Sequence, residues 1–583
     1  MSHLESHLAD LVAALDAERR AQEAEAAQLR GLPMAQRVAN GYSIAPLDLV
    51  DTEYRSRDRV NVVLRGKDLP DAFGPGDPVV LGPISRPDDG WSARVEGVDE
   101  SSVELRVFGT PEGRGPWAVS RRLDFTVLEL QQAALRKAEE RWSPLKSLLL
   151  GHERPYAPDP LDSPAFARLH DDQRRAAALA LGATEIGLVH GPPGTGKTEV
   201  LVAILRALAG FGERAWALAE SNAAVDHLTL RASKAGLDVV RLGVSARVGG
   251  EVRPYTLEHR ILRGSRAAVL QALQRDASRA EGAALEEARA AMREEWRAAK
   301  REILAHCDVV AMTLGTLHTR GEDLVAPKTA VVDEAGQIPE PALWLLAGRV
   351  KRMVLAGDPA QLGPVVKSRH PLLERSLLER LVRAGFHFPM LTEQRRMNTT
   401  LMALCQPTYD NRLTAAPHVA TRHLAQSGPW TMPAARFLDT AGMGLDEDRD
   451  ALGSLFNPGE VDLLVKVWRS LRDSGVAADQ VAVIAPYTAQ VLRLRQALPE
   501  LEVGTVNAFQ GREKDVVLAS FVRSNDTGNL GFVADPRRLN VAITRARMLF
   551  VGVGDSATLG AHPGFGRLVQ AVGEGYVSGW ELL

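Results

Sequence analysis

Cysteine is almost absent from this chain: Cys307 and Cys405 are the two present among 583 residues. Two thiols cannot build a disulfide framework or a structural zinc centre. Cys307 opens the apolar stretch 307–311, where a small buried side chain is the expected role. Long apolar runs are missing as well, so no segment reads as a bilayer-spanning helix. Glu5, Asp10, Asp16 and Glu18 stud the start of the chain, which a secretory signal would not tolerate. A cytoplasmic protein with no membrane partner is the expectation. Neither sign of charge dominates: 70 Lys and Arg face 73 Asp and Glu, a formal net charge of −3. That balance does not advertise a nucleic-acid binder, but it excludes none, because only a groove has to be positive.

What is present is an ordinary globular composition, 45% hydrophobic and 25% charged. The length suits roughly two to four domains. Leu4, Leu8, Leu11, Val12 and Leu15 recur at helical spacing, and the helix should stop near Gly31-Leu32-Pro33. Residues 42–127 read as short β-type runs, such as 60–64, 78–81 and 103–107, broken by Gly74-Pro75-Gly76 and Pro87-Asp88-Asp89-Gly90. A small β-barrel is the natural reading. A second helix over about 128–142 returns from it. Beyond Pro164 strands and helices alternate as in an α/β domain with a parallel sheet. A charged helical stretch, 256–304, interrupts this pattern with Arg289, Arg293 and Arg297. The expected division is a stalk helix (1–41), a barrel (42–127), a returning stalk helix (128–150), a first α/β domain (151–370, helical insertion about 245–305) and a second (371–583).

Gly191-Pro192-Pro193-Gly194-Thr195-Gly196-Lys197-Thr198 follows the apolar run 186–189 and precedes a helical stretch. This is the phosphate-binding loop in its required context. Its glycines let backbone N–H groups turn onto phosphates, and the following helix N-terminus adds positive potential. Lys197 would reach the β- and γ-phosphates of ATP, and Thr198 would hold Mg²⁺. Val331-Val332-Asp333-Glu334-Ala335 ends a buried strand in two carboxylates. Asp333 suits Mg²⁺ ligation and Glu334 suits polarisation of the attacking water.

Together with further motifs in order over about residues 165–555, this pattern resembles superfamily 1 helicases. The similarity is to subgroup B, in the branch holding the nonsense-mediated-decay helicase and the immunoglobulin-mu-binding helicase. The resemblance implies an α/β fold of two RecA-like parallel-sheet domains, with the stalk, barrel and helical insertion as accessories. Asp171-Asp172-Gln173 is similar to the adenine-reading motif, with Gln173 as reader. Residues 219–226, including Ser221 and Asn222, resemble a strand-contacting motif, and Thr313 belongs to a second. Gly357-Asp358-Pro359-Ala360-Gln361-Leu362 is similar to the coupling motif, with Gln361 sensing the γ-phosphate. Arg396 matches the family arginine of Gln394-Arg395-Arg396-Met397, whereas Arg395 replaces the usual Tyr. Arg545 corresponds to the second γ-phosphate arginine. In the segment 503–513, Gly511 and Glu513 are implied to approach the nucleotide and Thr505 the strand.

The resemblance implies an ATP hydrolase that moves 5′→3′ along single-stranded nucleic acid, or on duplexes with a single-stranded 5′ tail. The absence of added RNA-binding modules favours DNA over RNA. An RNA helicase and an ATP-gated clamp that separates no strands share every motif. A protein-remodelling ATPase would need its arginine from a neighbouring subunit. Arg396 and Arg545 lie in the same chain, which favours a monomeric motor.

Overall fold

The computed structural model describes residues 3–56, 59–67, 69, 73–99, 101–113, 115–140, 143–244 and 248–582. Six strands, β1 (Ser43–Ser56), β2 (Arg59–Arg65), β3 (Pro78–Pro83), β4 (Trp91–Val98), β5 (Ser102–Phe108) and β6 (Trp117–Arg121), close a barrel in the order β1-β2-β5-β4-β3-β6. Its strands alternate: Val60, Val62 and Leu64 of β2 and Val103, Leu105 and Val107 of β5 point inward and are buried. The apolar filling explains why the period-two pattern was legible, and closure leaves no strand edge unpaired.

The barrel lies between two helices, His3–Arg30 and Thr126–Glu140, so the first ends at the stop expected of it. The expected end of the second at residue 142 lies outside the described residues. Leu8, Leu11 and Leu15 share a core with Leu135 and Ala138, and Gln132 Nε2 donates to Asp16 Oδ1 at 2.7 Å. That core continues into the helix Glu340–Ala347 of the next layer through Leu343, Trp344 and Ala347.

The first parallel sheet contains β7 (Ile186–His190), β8 (Ala215–Ala219), β9 (Val239–Arg241), β10 (Val309–Thr313), β11 (Thr329–Val332) and β12 (Arg352–Gly357) in the order β7-β12-β11-β8-β10-β9. Its central strands are apolar throughout because helices cover both faces. Between β9 and β10 the charged stretch is not one helix but three, Leu257–Arg263, Ala267–Arg279 and Gly282–His306. Gly264 and Gly282 interrupt it, the latter at φ +56°. Arg289 and Arg297 face water and pair with Glu286 and Glu294 at 3.1 and 3.4 Å, so they decorate a solvated face. The expected start of this insertion near residue 245 lies outside the described residues.

Short ladders, β13 (Glu393–Gln394) with β14 (Thr414–Ala415), lead to the second sheet, and β16 (Asp448–Arg449) with β17 (Leu455–Phe456) flank it. The sheet holds β15 (Ala435–Asp439), β18 (Val481–Ala485), β19 (Glu502–Thr505), β20 (Lys514–Ser520), β21 (Ala546–Gly554) and β22 (Tyr576–Ser578), all parallel, in the order β19-β18-β20-β21-β15-β22. The helices Pro371–Glu374 and Leu377–Arg383 bury Leu373, Leu377, Leu378 and Leu381 in the first core. The division drawn at residue 371 therefore does not coincide with the division between the two cores. Cys307 and Cys405 are both buried, and among the described residues no helix is long and apolar enough to cross a membrane.

Near the C-terminal end of β20 a carboxyl group is fully buried. Glu460 Oε2 accepts from Ser520 Oγ at 2.5 Å and from the Val522 N–H at 2.9 Å. Burial outweighs these bonds and pushes its pKa up to about 8. Between the ordinary carboxyl value of about 4.3 and that value, the folded chain keeps a proton that the unfolded chain has lost. Stability therefore falls as pH rises through this window. Thermal melting from about pH 5 to about pH 8 should lower the midpoint by roughly 2–4 °C more in the native chain than in Glu460→Gln, which cannot titrate. Equal slopes would contradict this assignment.

Candidate active site between two sheets

Parallel sheets present their working loops at the C-terminal ends of their strands. In this chain the loops after the first sheet's strands meet the second body where β20 and β21 begin, at Glu513 and Arg545. After β7 the loop 191–196 turns through Gly194 and Gly196, at φ +74° and +78°, and enters the helix Lys197–Gly210. A Cβ at Gly194 would sit 2.6 Å from Arg396 Cβ, so the loop touches the second body where only glycine fits. Gln173 braces the loop from behind: its Nε2 donates to Thr195 O at 2.9 Å and its Oε1 accepts from the His170 N–H at 3.2 Å.

Lys197 Nζ lies 2.8 Å from Glu334 Oε1 and 3.2 Å from Asp333 Oδ1. Burial opposes the ammonium charge, but the two carboxylates more than offset it, so its pKa is raised. The same pairing holds the Glu334 carboxyl below its ordinary range despite its burial. Glu334 is thus an ionised acceptor, turned into place by a left-handed backbone at φ +52° and tethered by Gln337 Nε2 at 3.1 Å. Thr198 Oγ1 stands 3.4 Å from Asp333 Oδ2, two hard oxygen donors beside the phosphate loop that fit a Mg²⁺ ion.

The second body supplies the arginines. Arg396, after β13, donates to Glu513 through Nε and to Thr544 O through Nη1 at 2.9 Å. Glu513 also receives Arg547 Nε and Nη2 at 3.0 and 2.9 Å, and the paired arginines hold its carboxyl below the usual range. Arg545 is 1% exposed and reaches across to Gln361 Oε1 with Nη2 at 3.3 Å. Its Nη1 donates to Arg512 O at 3.1 Å, next to Gly511 at φ +80°. Burial, and then the neighbouring Arg396 charge, disfavour the charged form of Arg545. An anion between the arginines would relieve that repulsion.

Four residues to which the sequence assigned no role complete this contact. Asp358, buried after β12, accepts from Tyr409 Oη at 2.8 Å, from Gln361 Nε2 at 2.9 Å and lies 3.1 Å from His190 Nε2. Tyr409 Oη accepts in turn from Asn540 Nδ2 at 2.8 Å, which also donates to Ala360 O at 2.9 Å. Asp358 lies within the coupling motif, and His190 immediately precedes the phosphate loop. Tyr409 lies 51 residues beyond Asp358 in a segment without any motif, and only the fold reveals it.

Ser221 and Thr313 follow β8 and end β10, which run side by side. Each hydroxyl caps a helix, accepting from Ala224 N and Thr316 N at 3.2 Å, and Thr313 Oγ1 also shares a hydrogen bond with Thr316 Oγ1 at 3.0 Å. Asn222 Oδ1 is taken by Arg241 Nη2 at 2.8 Å, so this side chain is only partly available. Thr505 ends β19, the edge strand of the second sheet. Arg395 pairs with Glu393 Oε1 at 2.8 Å, and its N–H donates to Gly194 O at 2.9 Å. The residue that departs from the family pattern thereby ties its backbone to the phosphate loop.

Family models described as an AAA domain match residues 168–295 and 271–369, and another of the same description matches 373–557. The DNA-binding protein SMUBP-2 of Rattus norvegicus is 34% identical over 491 residues, covering 77% of this chain and 49% of that protein. The DNA polymerase alpha-associated DNA helicase A of Schizosaccharomyces pombe is 31% identical over 424 residues, 67% of this chain and 64% of the relative. Regulator of nonsense transcripts 1 of Caenorhabditis elegans is 33% identical over 505 residues, 81% and 46% of the respective chains. The chain spans about half the length of the first of these. With both sheets matched and the phosphate loop, acidic pair and arginines converging between them, the chain belongs to the superfamily 1 helicases, in the branch that holds the nonsense-mediated-decay and immunoglobulin-mu-binding helicases.

Proposed function

We propose that the chain is an ATP-driven motor that moves 5′→3′ along single-stranded nucleic acid, DNA in preference to RNA, and opens duplexes with a single-stranded 5′ tail. The observation that carries this reading is the position of Arg545, a second-body cation within 3.3 Å of Gln361 in the coupling motif of the first. A catalytic set divided between two bodies changes whenever the bodies move, and that links hydrolysis to mechanical work.

In this reading the loop 191–198 and Lys197 hold the phosphates, with Lys197 leaving its carboxylate partners for the anion. Thr198 and Asp333 would hold Mg²⁺, which supplies charge neutralisation when bound. Glu334 orients the attacking water, while Gln361, Arg396 and Arg545 meet the γ-phosphate from the far side. Gln173 sits behind the loop in the adenine-reading position, and Gly511 and Glu513 border the nucleotide. Ser221, Asn222, Thr313 and Thr505 stand at or just beyond the ends of β8, β10 and β19, where a phosphate backbone would run, a sequence-neutral and salt-sensitive contact. The helices His3–Arg30 and Thr126–Glu140 act as a stalk for the barrel over that channel. Complete with its own arginines, the chain works as a monomer.

Steady-state ATP hydrolysis should rise at least about tenfold with single-stranded DNA, less with single-stranded RNA, and vanish in Lys197→Ala. Hydrolysis indifferent to both polymers would overturn the motor; a larger response to RNA would reverse the substrate assignment. Arg545→Ala should lower kcat by about 10³-fold while KM for ATP changes little, because the contact matters most in the transition state. A selective loss in KM instead would make Arg545 a ground-state binding residue.

A further inference from the structure

The segment 358–368 touches the first sheet, the second body and the N-terminal helix. Asp358 is held by His190 of the first sheet and Tyr409 of the second body. Gln361 meets Arg545, and Leu362 buries its side chain in the second core while its carbonyl oxygen accepts from Gln510 Nε2 at 3.4 Å. The chain then turns to the N-terminal helix. The N–H groups of Lys367 and Ser368 donate to Glu18 Oε1 and Oε2 at 3.1 and 2.8 Å. Glu18 is 6% exposed, and Gln22 Nε2 adds a third donor at 2.9 Å. Burial opposes its charge, but these donors outweigh it and leave the carboxyl pKa lowered. An exposed pair, Lys367 Nζ to Glu25 Oε1 at 2.7 Å, flanks the clasp.

From Glu18 the helix runs unbroken to Arg30, a rod of about 18 Å. At its far end Arg30 Nε donates to Tyr42 Oη at 2.8 Å, one residue before barrel strand β1. Arg37 then grips Asp88 in the turn between β3 and β4 at 2.7 Å. The loop from Gln361 to Ser368, the Glu18 clasp and one helix therefore join Gln361 to the barrel. A buried carboxylate on two consecutive backbone amides is a stiff joint, since loss of either bond leaves a polar group unpaired.

We infer that Glu18 is a positioning residue that transmits the state of the segment 358–368, and so of the nucleotide cleft, through the helix His3–Arg30 to the barrel. The inference deepens the motor reading and rests on it for its purpose, but not for its test. A joint that merely pins two surfaces would resist unfolding equally with and without nucleotide. A transmitting joint makes the far helix respond to nucleotide.

The test is amide hydrogen exchange on the full chain with and without a non-hydrolysable ATP analogue. In the native chain the analogue should slow exchange by about threefold or more both in 358–368 and along 11–30. In Glu18→Gln, whose amide accepts only one of the two N–H groups, the response in 358–368 should persist and that along 11–30 should disappear. Lys367→Ala, which removes only the exposed pair, should respond as the native chain does. An unresponsive helix in the native chain, or an equal response in Glu18→Gln, overturns the inference. Even where the variant fails to fold, an unresponsive helix in the native chain overturns the inference. Polymer-stimulated ATP hydrolysis of the same preparations reports on the motor separately, so a chain without stimulation refutes that reading and leaves the exchange result standing.

Discussion

A buried ammonium must be paired, and the arrangement around Lys197 follows from that requirement. Its charge lies 2.8 Å from Glu334 and 3.2 Å from Asp333, with little water to screen it. Two carboxylates with one cation leave the cluster net negative, which is the electrostatic complement of a bound Mg²⁺ ion. Phosphates entering the glycine loop would compete for Lys197 and free Glu334 to act on water. The acids that stabilise the resting cation are thus the groups the proposed chemistry uses.

On the other side of the cleft the problem has the opposite sign. Arg396 and Arg545 repel each other, and Glu513, itself gripped by Arg547, partly compensates. The two halves meet through bonds in which at most one partner is charged: Gln361 to Arg545, Tyr409 to Asp358, Asn540 to Ala360. Such bonds cost little to exchange for water or phosphate oxygens, unlike a direct buried ion pair, and so suit a seam that opens and closes. Glu18 extends the same seam to the N-terminal helix through backbone amides.

Much of this was legible before the fold was known, for a physical reason. The phosphate loop and the pair Asp333-Glu334 are local in sequence, since backbone geometry requires their residues at fixed spacing. The barrel and the parallel sheets were legible because period-two alternation and continuous apolar runs follow from burial on one face or on two. What stayed hidden depends on distant pairing. Tyr409 and Asn540 stand 131 residues apart, and Glu18 reaches Ser368 across 350. The helix 256–304 split at Gly264 and Gly282, which helical periodicity alone did not reveal. Leu373 and Leu377 joined the first core because an apolar periodicity states that a face is buried but not against which sheet.

The central claim is that one chain supplies every group of a catalytic site divided between its two bodies. Mixing Lys197→Ala with Arg545→Ala, each inactive alone, and measuring ATP hydrolysis over a wide range of protein concentration tests it directly. The account predicts no recovered activity at any concentration, since each chain lacks one half of its own site. Activity that rises with concentration in the mixture would place the arginine of one copy in the cleft of another and contradict the account.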